Sequence, residues 1–335
     1  MTRRRLAGLW LAGVVLLGCL TALGIAYGAT PLPLPIVLHA LAGGDVPDTV
    51  RRIVLDLRLP RVLLAACVGA GLSVVGVLLQ TTTRNDLADP FLFGLSSGAA
   101  AGAVSVITIF GDRLGVWTLP IAAFAGALLS ALILLGLVAT QRGRGPERLV
   151  IAGLAVSFMF GALTTYMVFA GDQRAAASVL FWSAGGLGLA GWGNMPLALA
   201  GAALSVATGL VFSRPLDALL GGEAVASSLG IDVVRLRIAI FALCALATAA
   251  LVALSGVIGF VGLMVPHLAR SLVGVRHRLL VGMAALLGAI TLLAGDLVSR
   301  VIVAPQELPV GIVTAAAGSL FVLAMLLRPA RPGRL

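Results

Sequence analysis

No lysine occurs among the 335 residues; all 23 basic side chains are arginine. A Walker-type phosphate loop needs a lysine to reach the β- and γ-phosphates. This chain therefore cannot carry an ordinary one, and any ATP-driven step belongs to another polypeptide. Charge of either sign is scarce, at 11% of residues against about 25% in soluble domains. Acids are scarcest inside the apolar runs, where a proton or sodium relay would need them. This weakens one alternative function, that of an ion-coupled secondary transporter or exporter. The three cysteines, Cys19, Cys67 and Cys244, lie in apolar runs without metal-ligand spacing, and the three histidines form no metal motif. No cluster of His, Asp, Glu or Ser suggests catalysis. The expectation is a chain with no catalytic residue, no metal site and no cofactor of its own. The net charge of +10 does not imply nucleic-acid binding, because the arginines are scattered through short loops.

Apolar sequence fills the rest. Hydrophobic residues make up 60% of the chain and mean hydropathy is +1.12. With about 20 apolar residues per spanning helix, the runs predict ten spans, at 6–28, 60–81, 90–110, 117–140, 148–170, 194–213, 235–256, 258–273, 279–300 and 308–328. No loop is long enough for a soluble domain, so residues 1–335 read as one all-α integral membrane bundle. The run behind MTRRR exceeds a signal-peptide core and reads as a retained first helix. With the amino terminus inside, sixteen arginines fall in cytoplasmic segments and seven outside. That asymmetry favours ten spans with both termini cytoplasmic.

Several stretches interrupt the apolar pattern. RNDLADP, residues 84–90, reads as a tight polar turn, with Asp89 and Pro90 opening the next helix. Gly94, Gly98 and Gly102 then fall on one face, a spacing for close helix packing. Segment 214–237 has Gly221-Gly222, a stretch from Glu223 to Leu229 long enough for about two helical turns, and Gly230 as a stop. It is either a connecting loop or a docking knob. In GFVGLMVPHLAR, residues 259–270, Pro266 interrupts the helical ladder and His267 reads as structural. Asp296 precedes Arg300 by one helical turn and reads as a local ion pair. Arg51, Arg52, Arg58 and Arg61 crowd the outer entry to the second span, either snorkelling or forming a docking patch.

Taken together, LRLPR (57–61), RNDLADPFLFGLSSGA (84–99), GEAVASSLGI (222–231), GFVGLMVPHLAR (259–270), HR (277–278) and ELPVGIVTAAAG (307–318) resemble permease subunits of type II ABC importers. That family takes up ferric siderophores, haem and cobalamin. The chain departs from the family's usual Asn-Pro-Leu at Asn85-Asp86-Leu87. The resemblance implies a homodimer with its pathway on the two-fold axis, two ATP-binding cassette subunits that hold ATP and magnesium, and a periplasmic binding protein, all at the bacterial inner membrane. It places a cytoplasmic gate at Asn85 and Leu87, facing Pro146 and Glu147. It puts ATPase coupling at Gly222, Glu223, Ala226, Leu229 and Gly230, and binding-protein docking at Arg58, Arg61 and Arg300. The expected pathway wall includes Ser157, Phe160, Thr164 and Arg174, the last slightly favouring an anionic chelate such as haem over a siderophore.

Overall fold

The structure is a computed structural model that describes residues 3–28, 30–111, 114–140, 147–171 and 173–327. Every described element is helical. The chain opens with α1 (Arg3–Ala26) and the short α2 (Leu34–Leu41). Next, α3 (Asp48–Arg52) runs through a π turn (Ile53–Arg58) into α4 (Leu59–Thr83). The following helices are α5 (Leu95–Ser105), extended by a π turn (Val106–Phe110), α6 (Thr118–Thr140), α7 (Glu147–Ala170), α8 (Gln173–Ser183) and α9 (Met195–Val211). Two short helices, α10 (Ser213–Leu219) and α11 (Glu223–Ser228), lead to α12 (Val233–Ser255), α13 (Val261–Val273), α14 (His277–Val301) and α15 (Val310–Leu326).

Each expected span coincides with one of these helices. Among the described residues six helices are long and apolar enough to cross a membrane, or seven if α9 and α10, bent by 59° at their junction, count as one span. Three others are shorter apolar helices, Leu95–Phe110, Val261–Val273 and Val310–Met325. The third span starts later than expected because Pro90 to Gly94 form turns, and α5 begins at Leu95 behind Gly94 at φ 79°. Asp89 therefore does not cap a helix. It closes a turn, its Oδ1 accepting from the Phe91 N–H at 2.8 Å. The eighth span is also short, but its break lies ahead of Pro266, where Phe260 takes a left-handed conformation (φ 67°) before α13.

Nearly all of α4 is buried against α9, α12, α13 and α14. Bare backbone makes that possible: a β-carbon on Gly69 would collide with the Gly288 carbonyl of α14, and one on Gly76 with the Gly262 carbonyl of α13. Gly98 and Gly102 bring α5 onto α6 in the same way, against the carbonyls of Gly126 and Ala122, as their spacing predicted. Apolar burial gives little net drive between helices in lipid, so such close approach carries the association. Gly76→Val is expected to lower stability by about 1–3 kcal/mol, the usual cost of overpacking, seen as a lower melting temperature of the purified protein in detergent. Gly18→Val, at a site with no atom within 4 Å, serves as the control and should leave the transition unchanged.

Candidate gate, coupling surface and outer rim

The polar turn begins where α4 ends. Arg84 adopts the left-handed conformation (φ 52°) that commonly closes a helix, so the Asn85 N–H returns to the Gln80 carbonyl at 3.1 Å. The Asn85 side chain then accepts from the Leu87 N–H at 2.9 Å, leaving Leu87 exposed at the tip. Asp89 and Pro90 fold back against Gly262 of α13. Burial pushes the Asp89 carboxyl up to about 6, while the Phe91 N–H favours its charged form. A largely apolar cavity of about 360 Å³ lies beside it, between the turn, Phe260 and the start of α15.

Three other helices bond to the last turn of α4, and two more are joined to it through them. Pro266 has no N–H for the Gly262 carbonyl one turn earlier; Gln80 Nε2 donates to that oxygen instead, at 3.2 Å. Arg270 of α13 donates to Gln80 Oε1 at 2.6 Å, and the same nitrogen is 3.4 Å from Asp86 Oδ1. The residue that departs from the family pattern thus ties the turn to α13. Thr81 Oγ1 lies 2.9 Å from His277 Nε2 on α14, and His277 Nδ1 lies 2.7 Å from Asp217 on α10. Arg237 of α12 donates from Nε to the Thr82 carbonyl at 3.1 Å and from Nη2 to Glu223 at 2.6 Å. One guanidinium group therefore joins α11 to the end of α4.

The segment around α11 folds as its glycines require. Gly222 (φ 103°) precedes the helix and Gly230 (φ 81°) follows it, both in conformations that favour glycine. Ala226 is buried against Leu219 and Val233 and anchors the helix from below. Leu229, 66% exposed, and Val225 face outward with Leu220.

At the opposite end, arginines close the helix termini. Arg58 donates from Nη1 to the carbonyls of Ile25 and Ala26 at 2.9 and 2.7 Å, and from Nη2 to the Thr30 carbonyl. Arg300 donates to Gly24 and Tyr27 at 2.9 and 3.1 Å. Together they satisfy the end of α1. Asp296, fully buried, accepts from Arg61 Nε at 3.0 Å. Its second oxygen lies 2.8 Å from Arg300 Nη2, an ion pair outside hydrogen-bond geometry. Arg61 also reaches Glu307 at 2.7 Å.

Known proteins resemble this chain along most of its length. The FecCD transport family matches residues 15–328. The chain belongs to the FecCD transport family. It is 40% identical to the cobalamin import system permease protein BtuC of Halobacterium salinarum, over 91% of this chain and 82% of that protein. It is 37% identical to the hemin transport system permease protein HmuU of Yersinia pestis, over 96% of both. A solved metal-chelate type ABC transporter in an inward-facing conformation superposes with a TM-score of 0.84 at 29% identity, covering 96% of this chain and 99% of that one.

On this FecCD scaffold, two groups of expected site residues need correction. Arg58 and Arg300 were expected as docking cations, but they are 7% and 2% exposed and their donors serve the chain's own carbonyls and carboxylates. Of these three, Arg61 alone, with Glu307, reaches the rim, where Arg51 and Arg52 are also exposed. Phe160 was expected on the pathway wall, but it is 4% exposed and packs in a cluster with Val104 and Met167. Its face of α7 turns toward α5: Ser157 Oγ donates to the Phe91 carbonyl at 3.3 Å, and the half-buried Thr164 bonds back to the Phe160 carbonyl. The open face of α7 carries Ile151, Leu154, Phe158, Tyr166 and Phe169. Pro146 lies outside the described residues, as do the side chains of Glu147 and Arg174, whose backbones open α7 and α8.

Gln80, Asp217, Arg237, Arg270 and His277 had no role assigned from the sequence, although Arg270 and His277 lie in the motifs that carry the resemblance. The unpaired carbonyl that Pro266 creates was the one signal that called for a donor such as Gln80. Asp296→Asn should leave the buried Arg300 without its ion-pair partner, while Arg61 keeps Glu307, and cost about 3–5 kcal/mol, the usual cost of breaking a buried pair. Thermal unfolding in detergent would show it as a lowered transition. An unchanged transition would mean that the rim does not hold α1, α4 and α14 together.

Proposed function

We propose that this FecCD-family chain is the membrane permease of an ATP-driven type II importer for a metal chelate, an iron complex or a corrinoid. The observation that carries the reading is the continuous tie from the exposed apolar tip of α11, through Glu223 and Arg237, to the Thr82 carbonyl beside the polar turn. A force applied at α11 then reaches the segment proposed as the gate. In this reading two copies assemble with ten spans each, both termini on the cytoplasmic side and the route on the two-fold axis. The open face of α7 lines that route: large apolar side chains with Thr165 and Tyr166 suit a bulky chelate that must also be released. Two ATPase subunits seat on Leu229, Val225 and Leu220, and a binding protein delivers cargo to the outer rim at Arg61 and Glu307. Rim charges of this kind act mainly on encounter rate and orientation. The relatives named for cobalamin and hemin, at 40% and 37% identity, support the class of metal chelates alike.

The test is capture of the tagged chain from gently solubilised native membranes. A Walker-A ATPase in stoichiometric amount is expected, and Leu229→Arg should reduce its recovery about tenfold, equivalent to about 1.4 kcal/mol. A chain that emerges alone and still moves a chelate down an ion gradient would contradict the importer reading. Arg237→Gln should keep ATP hydrolysis by the recovered complex while lowering chelate uptake into proteoliposomes about tenfold, as loss of one charge-assisted hydrogen bond predicts. Equal uptake would remove Arg237 from the coupling route.

A further inference from the structure

The bend between α9 and α10 opens a second cavity on the arginine-rich side, of about 750 Å³, which the importer reading does not use. Arg214 lines it from α10, and Arg276 and Arg278 line it from the start of α14. All three side chains are exposed. Among the described residues none of the three guanidinium groups has a hydrogen bond or ion pair within the chain. The one acid on the wall, Asp217, is already engaged: its Oδ1 accepts from the His277 backbone N–H at 2.9 Å and lies 2.7 Å from the His277 ring. The cavity thus gathers three cations against one committed carboxylate. The rest of its wall is Ser213, whose Oγ donates to the Leu210 carbonyl, and three apolar side chains, Leu210 and Val211 exposed at the end of α9 and Leu279 on the first turn of α14.

From this combination we infer that the cavity binds the headgroup of an anionic phospholipid. Guanidinium groups present paired donors that match phosphate oxygens. The cavity lies where two apolar helices begin and end, the depth at which headgroups sit, and basic pockets between helices on the cytoplasmic side commonly hold acidic lipids. Leu210, Val211 and Leu279 line the same cavity beside the arginines and would give the acyl chains an apolar seat. An acidic protein surface would match the charges but not that apolar wall. The lipid would sit on the far side of the Asp217–His277 pair from Thr81 of α4.

The experiment uses the full-length chain purified in detergent and stripped of lipid, titrated with phosphatidylglycerol, phosphatidylcholine and inorganic phosphate while native mass spectrometry reads bound species. Phosphatidylglycerol should bind the natural chain about tenfold more tightly than the Arg214→Gln, Arg276→Gln, Arg278→Gln triple variant, a modest figure for three phosphate contacts. The corresponding triple lysine variant should recover most of the binding, and phosphatidylcholine should show no difference between variants. Arg278→Gln alone gives a smaller loss in the same direction and serves if the triple variant does not fold. Equal phosphatidylglycerol binding by natural chain and variants would overturn the inference. So would inorganic phosphate competing at equal concentration, which would mark a free-anion site. A triple variant that keeps its lipid but loses its co-purifying ATPase would assign the arginines to a protein partner instead. The lipid titration needs no ATPase, so its result is independent of the importer reading.

Discussion

A helix that ends inside a protein-packed, lipid-surrounded bundle must find partners for its last carbonyl groups. Water is not there to supply them, and the end of α4 lives under that constraint. Its final turn is served by the backbone of its own polar turn and by Arg237, while its side chains hold α13 and α14. Each of those contacts also fixes something else. Gln80 completes the ladder that Pro266 interrupts, His277 orients Asp217 on α10, and Arg237 holds Glu223 on α11. The polar break in an otherwise apolar chain is therefore the point where five helices, α10 to α14, are registered against α4. Arg84, Arg237 and Arg270 near that end also suit the negative pole of the α4 dipole.

The same constraint explains the outer rim. The carbonyls that end α1 are taken by Arg58 and Arg300, and Asp296 holds Arg61 and Arg300 in turn. Lone arginines at that depth would snorkel to water. Here each is held by carbonyl or carboxylate oxygens, so the rim is a clasp between α1, α4 and α14. The chain thus has polar fastenings at both ends of α4 and glycine contacts between them at Gly69 and Gly76.

Much of the fold was legible in the sequence because its apolar runs were long and the breaks between them polar. The Gly98–Gly102 face, the Asp296–Arg300 pair and the short helix between Gly222 and Gly230 were read from local spacing. What was missed depends on contacts between distant parts of the chain. Gln80 meets Gly262 and Arg237 meets Thr82 only after the helices have packed. The wall of α7 was misread for a related reason. Ser157, Phe160 and Thr164 do share a face, but a helix this apolar all round gives no clue to which face meets α5. Arg58 and Arg300 were given docking roles by resemblance, while their burial is decided by the carbonyls of α1.

The central claim is that α11 and the polar turn move as one body through Arg237. The most direct measurement is the distance between spin labels at Val225 and Leu87, both exposed, in the assembled transporter without nucleotide, with ATP bound and after hydrolysis. A third label at Leu154 on the open face of α7 reports motion of the turn against the wall. The account predicts a fixed Val225–Leu87 distance in all three states while the Leu87–Leu154 distance changes. A Val225–Leu87 distance that shifts by several ångströms with nucleotide, while Leu87–Leu154 stays constant, would contradict it.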